Sequence, residues 1–531
     1  MTSVEPLATR AGVRILEQGG NAVDAAVATA YALAVTHPSA GGIGGGGFML
    51  VSEGARVHAI DFRETAPRQL SRARFDAMIA KGAMGPIAVG IPGAVAGLSA
   101  AHERFGRLPT SAVLAPAIAL ARDGYELGPR QHLSLTWSWR WLREEPAFKR
   151  AFGDPRTGRP WPAGTQLKRE RLAASLEQLA REGPSAFYSG TLGDALLRDL
   201  AGSLITRQDL AEYRARFREP LEIPYRGLRV VTMPPPSAGG VALVQTLGIL
   251  QTHRAYEHPR MSTAALHLLI EAAKRAHAER RFHVVDPDTL SDAEYRQRVQ
   301  RWLDPESLVR EHPIDMARAT ASSLIHPLFE SREEPEHTTH FSVVDRAGMA
   351  VSCTMTLSSA YGAKLFSQST GIILNNSVAS FSVAGDNLPV GGHRTTSSMA
   401  PTLVFNGDEL VLVLGSPGGD TIPNTIVQVL RNVVDYGMTI DRAVEAPRIH
   451  HGFIPDEVRF EAQRPISRAI RQGLIGLGHR FGKRRVSIGD ANNILIHAGI
   501  AYGFADPREG GLALAAPASS LHHPAQMLIA Q

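Results

Sequence analysis

The amino-terminal part of the chain alternates helical and extended hydrophobic patterns. Apolar residues recur at helical spacing over 6–17, and a second run, 22–36, is apolar on nearly all sides. Such a helix belongs inside a layered fold, because it has no face to present to water. The glycine run 41–47 then leads into strand-like segments at 48–51 and 57–62. Helix, glycines, strand is the reverse of a phosphate-binding loop, so we interpret these glycines as positions of close backbone approach.

The middle of the chain predicts mostly helix over residues 95–330, with the strongest patterns at 110–122, 170–182 and 263–282. Residues 305–336 are irregular and dotted with proline and charge. This composition predicts an exposed linker, and exposed linkers are the segments where chains are cut.

After this linker the pattern changes to short strands separated by turn residues. The predicted strands are 341–345, 350–357, 371–374, 401–405 and 409–414. A helical stretch is predicted to follow at about 421–436. A helical region ahead of a strand-rich block predicts an α+β fold with helices packed over sheets in layers.

Composition narrows the classes of function. The 531 residues carry 56 Lys plus Arg against 51 Asp plus Glu, a formal charge of +5 that is spread along the chain, which argues against nucleic-acid binding. The lone cysteine, Cys353, excludes an internal disulfide or a multi-cysteine metal site, and its apolar strand context predicts a packed thiol. We interpret His450 and His451 as surface or turn residues, and we predict no metal and no cofactor.

The sequence also bears on location. Its most apolar stretch, 22–35, contains Asp24 and is shorter than the ~20 residues that span a bilayer, so no membrane association is predicted. No basic segment followed by an apolar run opens the sequence, and as written it predicts a cytoplasmic protein. A true start upstream of Met1 would instead be consistent with a periplasmic or secreted protein.

The first candidate chemistry lies in a predicted hairpin. Two strand patterns flank the short loop 346–348 and pair naturally as antiparallel strands. If Asp345 faces Met349, the register places Thr338 opposite Thr356. Two hydroxyl groups therefore lie side by side at the open end of the hairpin, directly after the predicted linker.

Cleavage between His337 and Thr338 would turn one of these hydroxyls into a nucleophile. A threonine hydroxyl is weak until a base takes its proton, and the freed α-amino group, with a pKa of about 7.7 to 8.0, stands on the same residue and can act as that base. Thr356 would then donate a hydrogen bond to the Thr338 oxygen. The alternative, two threonines on an edge strand, is common because β-branched residues favour strands.

Further segments supply polar groups suited to an amide substrate. A strand pattern runs into Gly418 and Gly419 ahead of a predicted helix, and N–H groups in such a turn can receive the charge of a tetrahedral intermediate. The guanidinium of Arg63 suits a planar carboxylate, and Ser397 and Ser398 lie in a hydroxyl-rich loop that supplies polar anchors. Taken singly, such glycines and serines are common in turns, and such an arginine is common in structural ion pairs.

Together these segments resemble the γ-glutamyltranspeptidase family of N-terminal-nucleophile hydrolases over nearly the whole chain. The resembling stretches are GGNAVDAA at 19–26, GGGGFM at 44–49, DFRE at 61–64, GIPGAVAG at 90–97, MPPPSAGG at 233–240, TTHFSVVD at 338–345, SSM at 397–399, GSPGG at 415–419 and DPR at 506–508. Nine motifs in the same order make a chance match very improbable.

The resemblance implies a four-layer αββα sandwich made as an inactive precursor that cuts itself. The products would be a helix-rich large subunit, 1–337, which contributes strands to the sandwich, and a catalytic small subunit, 338–531. The family forms an acyl-enzyme from glutathione or a related amide and passes the acyl group to water or an amine. The roles implied on this chain are nucleophile for Thr338, hydrogen-bonding partner for Thr356, oxyanion donors for Gly418 and Gly419, and anchors of the γ-glutamyl α-carboxylate for Arg63, Ser397 and Ser398.

Three positions in the implied substrate pocket depart from the family pattern. Ser380 stands where the family usually has an aspartate that pairs with the α-ammonium group, and a serine cannot replace that charge-assisted bond. Ser358 replaces an asparagine, and Ser377 replaces a glutamine or glutamate. The short interval 381–397 predicts a site without a lid, open to bulkier substrates.

Two alternatives follow from these departures. The first is an amidase of the same family with drifted specificity, acting on a glutaryl- or oxamate-type acyl group that has a distal carboxylate and no amino group. The second is a catalytically silent relative that binds a carboxylated ligand. The retained Thr338, Thr356 and glycine pair argue against the silent relative.

Overall fold

The computed structural model describes residues 1–327, 337–482 and 487–517. Within these ranges the helices are α1 (Pro6–Glu17), α2 (Ala22–Thr36), α3 (Arg72–Ala80), α4 (Ala94–Phe105), α5 (Thr110–Asp123), α6 (Pro129–Leu142), α7 (Pro146–Phe152), α8 (Glu170–Glu182), α9 (Ser185–Tyr188), α10 (Thr191–Asp199), α11 (Arg207–Glu212), α12 (Ala238–Thr252), α13 (Thr263–His283), α14 (Asp292–Leu303), α15 (Pro305–Glu311), α16 (Ser322–Ile325), α17 (Ile422–Val434), α18 (Ile440–Glu445) and α19 (Arg468–Gly476).

The strands of the same ranges are β1 (Thr2–Ser3), β2 (Gly46–Glu53), β3 (Arg56–Phe62), β4 (Tyr125–Glu126), β5 (Gln166–Leu167), β6 (Arg216–Arg218), β7 (Leu221–Tyr225), β8 (Leu228–Thr232), β9 (His337–Val344), β10 (Ala350–Ser358), β11 (Thr402–Asn406), β12 (Glu409–Leu414), β13 (Ile449–His450), β14 (Arg459–Phe460), β15 (Asn493–His497), β16 (Ile500–Phe504) and β17 (Leu512–Ala513).

Two sheets form the centre of the fold. The first has seven strands in the order β17-β1-β9-β10-β2-β3-β6, and the second has six in the order β16-β15-β12-β11-β8-β7. The sheets face each other where β9 and β10 approach β12, and where β9 approaches β15. Helices α2 and α4 cover the outer face of the first sheet, and α12 packs on the second with α13 and α17. This arrangement confirms the predicted αββα sandwich.

Helix α2 shows why the layers form where they do. All fifteen of its residues are buried, as its uniformly apolar sequence predicts. Asn21 caps its amino terminus: the side chain accepts from the N–H of Asp24, whose carboxylate accepts the N–H of Asn21 in return. The helix thus enters the interior with its exposed backbone groups satisfied, and it lies directly behind β9 and β10.

The long helices match their predicted limits, because hydrophobic periodicity and capping residues agree there. The interval 95–330 is mostly helical, as predicted, and it also holds the short strands β4 to β8. Two other predictions are wrong. Residues 371–374 form one isolated bridge, Phe366 with Ile373, and no strand. The described part of the predicted linker forms α15 and α16 with buried apolar contacts; its remainder, 328–336, lies outside the described residues.

Among the helices of the described ranges, none is long and apolar enough to cross a bilayer.

Candidate active site

The open end of the β9–β10 hairpin places two threonine hydroxyls together. Thr338 pairs with Thr356 in the predicted register, and the two Oγ1 atoms lie 3.4 Å apart. The pairing becomes irregular after Thr356, so that the Ser358 N–H turns back and donates to Thr356 Oγ1 over 2.8 Å. Thr338 is 8% exposed and Thr356 is 4% exposed, so both hydroxyl-bearing residues are largely shielded from bulk water.

In the uncut chain, the carbonyl of His337 determines which of the two threonine hydroxyls donates to the other. The Thr356 hydroxyl donates to the carbonyl oxygen of His337 over 2.8 Å, and the Thr338 hydroxyl donates to Thr356. Thr356 has one proton, and while the His337–Thr338 bond is intact that proton is committed to the carbonyl. The predicted donation from Thr356 to Thr338 concerns the cleaved chain. The hydrogen bond from Thr356 also polarises the carbonyl that Thr338 would attack.

The glycine turn after β12 has a conformation that other residues adopt poorly. Gly418 has φ +129° and Gly419 has φ +58°, and a short turn, Gly419–Thr421, leads into α17. A Cβ at Gly418 would lie 2.5 Å from Thr421 Oγ1 and 3.2 Å from Gly489 Cα. Both the backbone angle and the packing therefore exclude a side chain there.

The buried imidazole of His340 joins the strand of Thr338 to the strand that leads into this turn. It contacts Thr354 Oγ1 at 2.9 Å and Ser342 Oγ at 3.1 Å. It also fills the space beside Gly415, where a Cβ would lie 2.1 Å from the ring. Burial lowers the pKa of His340 to about 3, so this ring is a neutral spacer at physiological pH.

A cavity of about 210 Å³ opens onto the threonine pair. Of the residues predicted for the site, it is lined by Thr338, Thr356, Gly419, Arg63, Ser358, Ser380, Ser397 and Ser398. Gly418 stands directly behind Gly419 in the turn and does not line the cavity. Segments far apart in the sequence therefore converge on one space.

Arg63 lies at the end of β3 with its guanidinium almost fully buried. Nη1 donates to Glu64 Oε2 over 2.9 Å, while Nη2 donates to Ser380 Oγ over 3.2 Å. Nε and Nη2 also donate to the backbone oxygens of Thr395 and Thr396. The side chain is thus both a structural ion-pair partner, as one interpretation predicted, and a wall of the cavity.

Ser377 is placed differently from the other predicted substrate-binding residues. Its hydroxyl is fully buried and donates to Glu64 Oε1 over 2.8 Å, and it does not line the cavity. It supports the carboxylate that holds Arg63, so any influence on a substrate would act through that pair.

Two arginines that the sequence analysis missed complete the cavity wall. Arg280 and Arg281 lie near the carboxyl end of α13, and Arg280 donates to Ser398 Oγ. With Arg63 they place three guanidinium groups among the lining residues that the structure describes. The adjacent arginines in an otherwise buried helix were the available signal, but a basic last turn is common in helices because it complements the helix dipole.

The buried histidines of the chain occupy structural networks. His450 and His451 were predicted at the surface and are instead 1% and 2% exposed, because each faces a carboxylate, Asp420 at 3.3 Å and Asp456 at 3.1 Å. This prediction is wrong. The lone thiol, Cys353, is buried in β10, and burial raises its pKa well above the usual value.

One group in the described residues has the composition of a metal site. His267, Glu271 and His479 come together on and beside α13. Although burial opposes its ionisation, Lys274 and Arg275 hold the pKa of Glu271 at about 2, and each donates to one of its oxygens. Because two fixed cations already satisfy this carboxylate, we assign no metal there.

An αββα sandwich with a threonine at the open end of a central hairpin, beside a glycine turn, defines the class of N-terminal-nucleophile hydrolases. The family is equally clear. A family model described as Gamma-glutamyltranspeptidase matches residues 8–516, and the chain belongs to that family of enzymes.

Individual relatives support the assignment to this class and to this family. The chain is 38% identical to the glutathione hydrolase proenzyme of Escherichia coli (strain K12), over 96% of this chain and 90% of the relative. It is 35% identical to the acylase ACY 1 proenzyme of Pseudomonas sp. (strain SE83), over 92% and 88% of the two chains. The structure of cephalosporin acylase from Bacillus halodurans superimposes with a TM-score of 0.83 at 29% identity, over 97% and 95%.

Proposed function

We propose that the chain cleaves itself between His337 and Thr338 and then acts through Thr338 as an amide hydrolase and acyltransferase on γ-glutamyl and related carboxylated acyl amides. The observation that carries this proposal is the hydroxyl pair of Thr338 and Thr356, which opens into a cavity walled by Arg63 and serine hydroxyls.

Self-cleavage follows from the geometry of the uncut hairpin. Thr338 Oγ1 attacks the carbonyl carbon of His337, and the Thr356 hydroxyl, 2.8 Å from the carbonyl oxygen, stabilises the developing oxyanion. The C–N bond breaks as the Thr338 nitrogen takes up the proton that the hydroxyl loses, and the acyl group moves from this nitrogen to Oγ1 as an ester. Water then hydrolyses the ester, leaving a carboxylate on His337 and a free amine on Thr338. The products are subunits 1–337 and 338–531.

The mature reaction uses the groups that this cleavage releases. With the His337 carbonyl no longer bonded to it, the Thr356 proton can turn toward Thr338 Oγ1 and hold it in place, as predicted from the sequence. The α-amine of Thr338 takes the hydroxyl proton, Oγ1 attacks the substrate carbonyl, and the N–H groups of Gly418 and Gly419 receive the oxyanion. The departing amine takes the proton, and water or a second amine releases the acyl group.

The acyl pocket supports a substrate that carries a carboxylate. Arg63, Ser397 and Ser398 present donors to the cavity next to Thr338. The name of the Escherichia coli relative, glutathione hydrolase proenzyme, supports a γ-glutamyl amide of the glutathione type.

A second candidate, an acylase for acyl groups without an amino group, is favoured by two observations. Ser380 offers no charge for an α-ammonium group and accepts from Arg63 instead. Arg63, Arg280 and Arg281 also line the described part of the cavity, and guanidinium groups favour an anionic acyl group. Relatives named acylase ACY 1 and cephalosporin acylase support this candidate.

One set of measurements tests both candidate functions. Purified protein is expected to run as two bands on a denaturing gel, with the smaller chain beginning at Thr338, and a trapped acyl group should appear on that chain. Hydrolysis rates for γ-glutamyl and glutaryl anilides then separate the candidates, because a strong preference for glutaryl would select the acylase. A single uncleaved chain under every maturation condition would refute the proposal.

A further inference from the structure

The short segment 382–387 folds back on itself and brings an amide side chain to the wall of the acyl pocket. The Ser382 N–H donates to the carbonyl oxygen of Asn387 over 2.8 Å. The Asp386 N–H donates to the carbonyl oxygen of Phe282 over 2.9 Å, which fixes the turn against α13. The side chain of Asn387 is thereby buried, at 3% exposed.

Asn387 connects two residues of the pocket through its amide nitrogen. Nδ2 donates to the carbonyl oxygen of Ser380 over 3.0 Å and to Thr396 Oγ1 over 2.8 Å, so both amide protons are used. Exchange of the amide oxygen and nitrogen would set the oxygen against the Ser380 carbonyl, and two acceptors form no hydrogen bond. Oδ1 has no hydrogen-bond partner in the described residues, so the exchanged nitrogen would gain no acceptor there. The amide therefore has one orientation.

This orientation determines the role of the Thr396 hydroxyl. An amide nitrogen can only donate, so Thr396 Oγ1 accepts, and the hydroxyl's own proton points away from Asn387. Within the described ranges that proton has no acceptor. Thr396 is half-buried and lines the cavity, so the proton is left for a ligand bound in the cavity.

The same residue lies against the guanidinium that walls the cavity. Arg63 Nη2 donates to Ser380 Oγ over 3.2 Å and to the carbonyl oxygen of Thr396 over 3.3 Å. A carboxylate that reaches Arg63 therefore comes next to Thr396. A carboxylate has two oxygens and accepts several hydrogen bonds, so a hydroxyl beside a guanidinium supplies a suitable further donor.

We propose that Thr396 is a further substrate-binding residue, whose hydroxyl donates to the acyl carboxylate beside Arg63, and that Asn387 is the positioning residue that orients this hydroxyl. The inference deepens the proposed function and rests on it, because it takes the cavity to bind a carboxylated acyl group. It adds a donor to the predicted anchors Arg63, Ser397 and Ser398.

The test compares wild type, Thr396→Val, Thr396→Ser and Thr395→Val as processed proteins. Valine keeps the shape of threonine and removes the hydroxyl, whereas serine retains the hydroxyl and removes the methyl group. Thr395 is the matched control: its hydroxyl is buried, has no hydrogen-bond partner in the described part of the chain, and is not part of the cavity lining. The readouts are the Kd of glutarate by calorimetry, and KM and kcat for glutaryl anilide.

We expect Thr396→Val to raise the Kd of glutarate and the KM at least about tenfold, the size of one lost hydrogen bond to a charged group, while kcat falls less than about threefold. Thr396→Ser and Thr395→Val should both stay within about threefold of wild type in Kd. Asn387→Ala frees the Thr396 hydroxyl to turn and should raise the Kd about fivefold with kcat retained. Should Thr396→Val fail to fold, Asn387→Ala carries the test.

Unchanged glutarate binding in Thr396→Val, or an equal loss in Thr395→Val, would overturn the assignment of Thr396. Binding lost in Thr396→Ser and retained in Thr396→Val would overturn it too, because the methyl group would then make the contact. Unchanged binding in Asn387→Ala would refute the positioning role.

Failure of the proposed reaction would look different. A wild type that binds glutarate and loses binding in Thr396→Val, yet cleaves no acyl amide, would refute the reaction and leave Thr396 as a carboxylate-binding residue. A wild type that cleaves acyl amides but does not bind glutarate would refute the assignment of Thr396 and leave the reaction.

Discussion

The hairpin that carries Thr338 and the pocket that surrounds it are built in opposite ways. The hairpin is local: β9 and β10 are joined by a short loop, and their register alone brings Thr338 to Thr356. The pocket is assembled from distant segments, with Arg63 at the end of β3, Arg280 on α13 and Ser398 ahead of β11.

This difference separates the residues that carry out the reaction from the residues that select the substrate. A one-residue slip of a strand turns every side chain to the other face, so the hairpin can only be kept or lost as a whole. Residues of the pocket contribute singly, and exchanging one changes charge or shape without moving the nucleophile. We therefore expect substitutions in the hairpin to abolish reaction steps and substitutions in the pocket to change affinity and preference.

The largest effect should come from Thr338→Ala. Without the hydroxyl, neither self-cleavage nor acyl transfer can occur, and we expect a single 57.2 kDa chain and turnover lowered at least about 10⁴-fold. A denaturing gel and an anilide assay check this. Thr339→Val is the matched control, because the neighbouring hydroxyl is buried without a hydrogen-bond partner in the structure, and this variant should mature. Turnover in Thr338→Ala would break the assignment of the nucleophile.

The second-largest effect should come from Thr356→Val. It keeps the shape of the side chain and removes the donor to the His337 carbonyl, so self-cleavage should slow roughly 10²- to 10³-fold, the effect of losing one oxyanion donor. A time course of band splitting measures it. Thr354→Val is the control on the same strand, since its hydroxyl contacts His340 and not the scissile bond. Cleavage of Thr356→Val at the wild-type rate would exclude the proposed polarisation.

Replacement of Arg63 should affect stability and binding together, and a second substitution can separate them. Arg63→Met leaves Glu64 buried without its cation, which we expect to lower the free energy of unfolding by about 3 to 5 kcal/mol. Arg63→Met with Glu64→Gln should recover much of that stability in denaturant titrations. The KM for carboxylated amides should stay high in both variants. Recovery of KM together with stability would show that Arg63 acts only as an ion-pair partner.

Ser380→Asp should produce a smaller change, in preference. The new carboxylate would provide the missing partner for an α-ammonium group and would compete for Arg63 Nη2, now 3.2 Å from Ser380 Oγ. We expect the ratio of kcat/KM for γ-glutamyl over glutaryl anilide to rise about tenfold. Ser382→Asp, another lining serine, is the control for added charge. An unchanged ratio would mean that position 380 does not select between the two acyl groups.

The smallest effect should come from modifying Cys353. Burial keeps its thiol protonated, since its pKa is raised well above the usual value, and no thiolate is available at neutral pH. Iodoacetamide treatment of the folded enzyme should change turnover less than about twofold. Inactivation by this reagent, with a label found on Cys353, would show that the hairpin opens during turnover.

Prediction from sequence succeeded where short-range patterns agree with one another. The limits of α2 follow from a continuous apolar run between a capping asparagine and His37-Pro38, and the Thr338–Thr356 pairing follows from counting across one loop. Prediction failed where contacts between distant parts of the chain determine the local structure. Residues 371–374 have the composition of a strand, yet in the fold they form only the bridge from Ile373 to Phe366. The buried His450 and His451 face carboxylates that only the fold supplies.

Two features of the pocket illustrate the same limit. Arg280 and Arg281 read as an ordinary basic helix end, and nothing in the local sequence indicates that they face a cavity beside Thr338. Ser377 reads as a substrate ligand by its position in a motif, but its hydroxyl is taken by Glu64. A side chain's partner depends on which segment packs opposite it.

The sequence alone determined the limits of the long helices and the register of the nucleophile hairpin, because apolar periodicity, capping and strand pairing act between residues that are close along the chain. Its ordered motifs pointed to the family, and the family resemblance implied the order of layers. Tertiary structure decided which side chains line the pocket. Arg63, Arg280 and Ser398 are separated by a hundred residues or more along the chain, and the distances between them are set only when the layers of the fold pack together.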